Sequence, residues 1–240
     1  MCFFLLAGSL RAWEITLLNT VFLNAENPTA EKIFTSYSTK LYHKIDDNDI
    51  NFEAFTYGLK GYLKLQQEKK LGNTKYLTII DMSVSANTKR FYIINMETLR
   101  VEHKSLVAHG RNSGLEYAHR FSNNMNSHQT SLGFYKTAET YVGKHGFSLR
   151  LDGLEFSNNK ARKRAIVIHE ADYTSENFIK RNGRLGRSYG CPSLPKKDYK
   201  IIIDKIKNGS CLFIYYPKDS YLKKSKLVNA DIAVLNTIIG

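Results

Sequence analysis

Gly183-Arg-Leu-Gly-Arg-Ser-Tyr-Gly-Cys-Pro-Ser-Leu194 sets one cysteine, Cys191, in a polar, glycine-containing loop. Gly190 permits a tight backbone approach, and Pro192 fixes the chain just beyond the cysteine. Such a turn is expected to aim the amides of Gly190 and Cys191 at one point, the arrangement an oxyanion needs. Upstream, the apolar run Ala165-Ile-Val-Ile168 delivers His169 at its end, where strand yields to loop. A thiol is a poor nucleophile until deprotonated, and a nearby imidazole takes its proton, so Cys191 and His169 are the candidate nucleophile and base. Spacing alone also fits a cysteine that merely packs, but the polar loop argues otherwise for Cys191. Cys211, inside an apolar run, reads as core.

Working outward, apolar residues recur at helical spacing from Thr29 to Ile45 and again from Asn51 to Lys69, with Gly72-Asn73 expected to close the second helix. After Lys75 the period changes. Tyr76 to Val84 and Arg90 to Met96 are predicted strands joined by a hairpin loop, and Leu99 to His109, Thr130 to Thr137, Arg164 to His169 and Cys211 to Tyr216 are further strands. Two late helices are expected at Ser175 to Asn182 and Lys197 to Asn208, each followed by a capping glycine. The expected architecture is a mainly β (α+β) body of sandwich or barrel type, with two N-terminal helices and short C-terminal ones. Its divisions are a probable export signal over 1–25, a helical element over 26–74, a catalytic body over 75–217 and a basic polar tail over 218–240.

The segments that flank the cysteine carry a resemblance. Ser127-His-Gln-Thr-Ser-Leu-Gly-Phe-Tyr135, Gly143-Lys-His-Gly-Phe-Ser-Leu-Arg-Leu-Asp-Gly153, Ile168-His-Glu-Ala-Asp-Tyr173 and the Gly183–Leu194 stretch together resemble the L,D-transpeptidase catalytic domain of the YkuD-type murein transpeptidases, over roughly Leu77 to Pro217. The resemblance implies that Cys191 attacks the third residue of a tetrapeptide stem, expels the terminal D-alanine and passes the thioester to a diamino acid on a neighbouring stem. The product is a 3→3 cross-link; with water as acceptor the same site is an L,D-carboxypeptidase. A fold retained only to bind wall peptides, without catalysis, is the third reading.

Two departures from the family pattern bear on the site. Glu170 stands where many members have Gly or Ser after the histidine, and it orients His169 either through its carbonyl or through its carboxylate, or points to solvent. Tyr189 and Pro192 replace the histidine before Gly-Cys and the Arg or Asn after it, which gives Tyr189 a stacking or wall role. Ser188, Tyr189, Arg187, Arg184 and His128 are the expected substrate contacts, with the arginines suited to a stem carboxylate or to lowering the thiol pKa. His109 and His145 sit in loops beside them, and Arg150 with Asp152 is expected to be a loop-fixing ion pair.

The formal charge of +13 is spread along the chain and fits weak attraction to an anionic wall or membrane surface. Without aromatic–basic interleaving or zinc-finger spacing, a nucleic-acid partner is not expected. The three cysteines include no Cys-x-x-Cys pair and the histidines no metal-binding spacing, so neither metal nor other cofactor is expected. The opening 25 residues resemble an export signal ending at Ala25, interrupted by Arg11 and Glu14, which places the protein in the periplasm or cell envelope.

Overall fold

The computed structural model describes residues 30–45, 47 and 49–231, so the expected export signal lies outside the described residues. Among the described residues, two helices, α1 (Ala30–Ile45) and α2 (Phe52–Gln67), precede eight strands. These are β1 (Tyr76–Asp81), β2 (Phe91–Asn95), β3 (Arg100–Ser105), β4 (Gly133–Gly143), β5 (Gly146–Gly153), β6 (Val167–Glu170), β7 (Ser193–Leu194) and β8 (Cys211–Tyr215). Three helices, α3 (Glu176–Asn182), α4 (Tyr199–Ile206) and α5 (Asp219–Leu222), are interspersed among or follow the last strands.

The strands form one sheet in the order β3-β2-β1-β8-β4-β5-β6-β7. Neighbours are antiparallel except β1 with β8 and β6 with β7. The two ends of the sheet approach each other: Ala108, just past β3, bridges Ser193 of β7, its amide donating to the Ser193 carbonyl at 3.0 Å. A sheet that nearly closes shields its edges and leaves the closing seam as the place where loops from both ends meet. Both Cys191 and His169 lie on that seam.

Every residue of β1, β2 and β8 is buried, as expected of central strands covered on both faces. One cover is α2. Asn51 caps it, Oδ1 accepting from the Ala54 amide at 3.0 Å, and Ala54, Phe55, Leu59, Tyr62 and Leu63 are buried. Gly61 lets the helix sit directly on β4, for a β-carbon there would stand 2.2 Å from the Phe134 ring. The helix ends at Gln67, and Lys69 (φ 53°), not Gly72, makes the left-handed turn. Gly72 instead bonds through its amide to the Gly209 carbonyl at 3.0 Å.

Three expectations need correction. β5, with Leu149 and Leu151 buried between the more accessible Arg150 and Asp152, is a full strand not anticipated as one. Arg150 and Asp152 therefore lie on a strand and do not pair with each other: Arg150 meets Glu139 at 3.1 Å, and Asp152 meets Arg162 at 2.5 Å. Residues 218–231 are not simply a polar tail, because Tyr221, Val228 and Ser225 are buried and the Tyr221 and Ser225 hydroxyls bond the buried Glu155 carboxylate, Tyr221 at 2.7 Å.

Candidate active site

β6 carries His169 to the seam, and its parallel partner β7 sets His169 opposite Ser193 and Glu170 opposite Leu194. Cys191 stands two residues before Ser193, in the loop that enters β7. That loop is stitched to the chain after β3: the Ser188 amide donates to His109 O at 2.9 Å, and the Arg111 amide donates to Ser188 O at 2.7 Å. Gly190 has φ +121°, and a β-carbon there would lie 2.8 Å from Gln129 O, so no other residue fits this turn unstrained. Ser188 Oγ donates to Cys191 O at 2.6 Å and accepts from the Gly190 amide at 3.0 Å. The Gly190 amide is thus held inside the loop in this conformation, which corrects the expectation of two free amides aimed at an oxyanion.

His169 is only 4% exposed, and its Nδ1 lies 2.7 Å from Glu170 O. A carbonyl only accepts, so Nδ1 carries the hydrogen and Nε2 keeps its lone pair to take a proton. Of the readings open for Glu170, the backbone carbonyl is the group that orients the imidazole. The carboxylate does something else: its Oε2 is buried and has no hydrogen-bond partner. His145 stacks on His169 with ring centroids 4.5 Å apart. Burial holds the His169 pKa below its ordinary value; the Glu170 carbonyl opposes the shift, and His145 adds to it. The ring is therefore neutral at neutral pH, as a base must be.

The Cys191 thiol faces the start of β6, donating to Ala165 O at 3.6 Å rather than to the imidazole. The residue keeps partial exposure while its sulfur sits among packed neighbours. That desolvation pushes the thiol pKa up, and the Val167 amide and Arg164 guanidinium pull it back. Arg164 was not anticipated. It bonds Ser122 O at 2.8 Å, Ser131 Oγ, Ser127 Oγ at 3.1 Å and Gln129 O at 2.7 Å, all neutral acceptors. Its Nη2 stands 3.3 Å from the β-carbon position of Gly190, so one cation ties the 122–131 loop beneath the cysteine turn. An arginine directly before the apolar run that delivers a candidate base was the signal available in the sequence.

The other expected contacts separate into two groups. Tyr189 is 63% exposed, with the His128 ring edge-on at 4.6 Å and the Arg111 guanidinium 4.7 Å over its face, forming a lip beside Cys191. Arg187 turns inward, its Nη1 donating to Arg111 O at 2.9 Å and Gly114 O at 3.0 Å, and Arg184 Nη1 donates to Leu185 O at 2.9 Å. In this arrangement both arginines hold loop carbonyls rather than present an open fork to a carboxylate. His109 is fully buried, its Nδ1 2.8 Å from Arg90 Nη2, and burial with that cation lowers its pKa to about 3. It supports the seam from beneath. Cys211 is wholly buried, as expected. Among the described residues no group of three or more His, Cys, Asp or Glu side chains is placed to hold a metal ion.

The closing seam thus brings the carbonyl-oriented His169 of β6 and the Cys191 loop that enters β7 onto neighbouring strands. The chain matches the L,D-transpeptidase catalytic domain over residues 46–215 and belongs to that family. The match begins ahead of α2, so that helix is part of the family domain rather than a separate preface.

Solved structures similar to the chain include an L,D-transpeptidase from Mycobacterium smegmatis (13% identity, TM-score 0.38, 59% of each chain covered). L,D-transpeptidase 1 of Mycobacterium tuberculosis shows 12% identity and a TM-score of 0.34, with 59% of this chain and 62% of that one covered. The helical cell shape determining protein Pgp2 of Campylobacter jejuni shows 14% identity and a TM-score of 0.38, with 67% and 57% covered. The chain thus spans less than two thirds of the length of these structures. No curated protein matches it.

Proposed function

We propose that the protein is an exported L,D-transpeptidase that acts on peptidoglycan stem peptides through a thioester at Cys191. The observation that carries this reading is the Nδ1–Glu170 O contact, which leaves Nε2 of a neutral His169 free on the strand adjoining the Cys191 loop. In the first half-reaction the thiol leaves Ala165 O and gives its proton to Nε2, and the sulfur attacks the carbonyl carbon of the third stem residue. The C–N bond to the terminal D-alanine breaks, and the proton passes from His169 to the leaving amine. The amide of Cys191 is the candidate donor to the oxyanion, Gly190 being bonded to Ser188. In the second half-reaction the side-chain amine of a diamino acid attacks the thioester and the C–S bond breaks, giving the 3→3 cross-link. Tyr189, His128 and Ser188 belong to the substrate side of the cleft in this scheme, and Arg184 and Arg187 shape its wall.

A second reading, a wall-binding protein without catalysis, draws on the thiol's contact with Ala165 O and its raised pKa. Incubation of a disaccharide-tetrapeptide with the protein and with Cys191→Ala, followed by mass spectrometry, separates the readings. Cross-linked dimer that depends on Cys191 supports transpeptidation. Tripeptide alone assigns carboxypeptidase action, and the absence of any Cys191-dependent product overturns the enzyme reading.

A further inference from the structure

We propose that the cavity between the end of α2 and the chain after α5 binds an anionic phospholipid, with an acyl chain on its apolar floor and the phosphate on its lysine rim. The proposal does not depend on the transpeptidase reading, for neither Cys191 nor His169 lines this cavity.

The cavity encloses about 560 Å³. That lies within the range of roughly 300–1,000 Å³ that small-molecule sites span. Leu65, Leu154, Phe156 and Leu227 supply its apolar lining, and Lys64, Lys70, Lys224 and Lys226 its cations. Two carboxylates share the lining, and both are already engaged. Glu68 lies between Lys70 at 2.7 Å and Lys64 at 3.3 Å. Glu155 is buried, accepting from the Phe134 amide at 2.9 Å and from the Tyr221 and Ser225 hydroxyls. Among the described residues no acid pairs with Lys224 or Lys226, so the rim carries unmatched positive charge.

The local chain accounts for both features. Ser225 and Leu227 are turned into the core, which leaves Lys224 and Lys226 exposed on either side of Ser225. Glu155 is likewise turned inward, and its neighbour Phe156 is left 51% exposed. Asn123 Nδ2 donates to Phe156 O at 3.0 Å and holds the backbone there, so the ring stands at the rim by construction.

Charge and apolarity together select the ligand. Free phosphate or a phosphate polymer would answer the lysines and leave the apolar floor uncovered. A lipid without net charge would cover the floor and leave the lysines unmatched. An anionic phospholipid meets both, because each buried methylene and each lysine beside a phosphate adds to the attraction. Occupancy would hold the domain against a membrane by the face that joins α2 to residues 218–231.

The test uses the full chain and short-chain lipids kept below the concentration at which they form micelles. Dihexanoyl-phosphatidylglycerol, dihexanoyl-phosphatidylcholine and glycerol 3-phosphate are titrated in turn while leucine methyl resonances are followed by NMR. Phosphatidylglycerol should bind about tenfold more tightly than phosphatidylcholine and at least about a hundredfold more tightly than glycerol phosphate, with Leu154 and Leu227 methyls shifting. The double variant Lys224→Gln/Lys226→Gln should erase the preference between the two lipids, and Phe156→Ser should weaken both. Lys196→Gln/Lys197→Gln, which removes the same charge from exposed positions before α4, should leave the preference intact. Equal binding of the two lipids, or a preference that survives the Lys224/Lys226 variant, overturns the proposal. So does a preference lost equally in the Lys196/Lys197 variant, which would assign the effect to overall charge. Glycerol phosphate binding as tightly as phosphatidylglycerol would make this a phosphate site and overturns the lipid. Circular dichroism of the variants establishes that they are folded.

Discussion

Gly190 holds a backbone conformation that residues with a β-carbon avoid, and Gln129 O occupies the space such an atom would need. Gly190→Ala should therefore cost about 1–3 kcal/mol in denaturant unfolding and shift the Cys191 loop off its Ser188 contacts. A denaturation midpoint equal to the parent's would show that the turn relaxes freely. At Cys191 burial works against ionisation, and the pull from Val167 and Arg164 is smaller. Groups near the thiol are Arg164 from the segment before β6 and Tyr173 beyond β6, whose own pKa is raised chiefly by burial. Because the folded thiol titrates above an ordinary cysteine, its iodoacetamide alkylation, read peptide by peptide, should reach half-maximal rate at a higher pH than a free thiol. Arg164→Gln should move that midpoint higher still, while Arg164→Lys, which keeps the charge, should restore it. A Cys191 midpoint below that of a free thiol would mean that the resting site holds an ion pair, contrary to the geometry described.

At the scale of elements, the site is an outcome of strand pairing. β6 was legible from its apolar run, but β7 is only two residues long, and nothing in Ser193-Leu194 announces a strand until His169 and Ala108 bond to it. β5 carries a readable alternation at Leu149 and Leu151, and the glycines of Gly143-Lys-His-Gly146 mark its hairpin turn. The tip of that hairpin brings His145 onto His169 of β6, 24 residues further along the chain. Helix α2 belongs to the catalytic body because Gly61 lets it rest on Phe134. Gly61→Ala should destabilise the domain by about 1–3 kcal/mol through overpacking, measured as a lower urea midpoint. An unchanged midpoint would mean that α2 shifts off the sheet at no cost.

For the whole molecule, closure of the sheet rests on a buried polar layer. Arg90, wholly buried, donates to Val84 O, to Val107 O and toward His109, and burial brings its pKa down to about 10. His109 has a folded pKa of about 3 against an ordinary 6.5, so it stays neutral in the native state when the unfolded chain becomes charged. Its contribution to stability is complete above pH 6.5 and is lost as pH falls from there toward about 3. The urea midpoint should accordingly drop between pH 7 and 5, and His109→Gln should flatten that dependence; an equally steep slope in the variant would place the linkage elsewhere. The chain after Pro217 closes the opposite side of the core through Glu155. A protein ending at 217 should lose cooperative unfolding or several degrees of melting temperature, since the buried carboxylate loses the Tyr221 and Ser225 hydroxyls. Retention of the full melting temperature would return the segment to the status of a tail.

The order of residues alone determined the family and most of the strands and singled out Cys191 and His169 as candidates, because these depend on local chemistry and on periodicity within a few residues. Cys191 after Gly190, His169 at the end of an apolar run, and the asparagine cap of α2 are all local in this sense. Tertiary structure alone decided that Glu170 acts through its carbonyl, that the Gly190 amide turns inward, and that Arg164 lies under the turn. It likewise decided that His145 covers His169 and that Tyr221, Ser225, Leu227 and Val228 are buried. The first two are contacts between near neighbours whose geometry the surrounding fold sets, and the rest join segments distant in the chain. Sheet order and closure create such contacts, and no pattern within either segment encodes them.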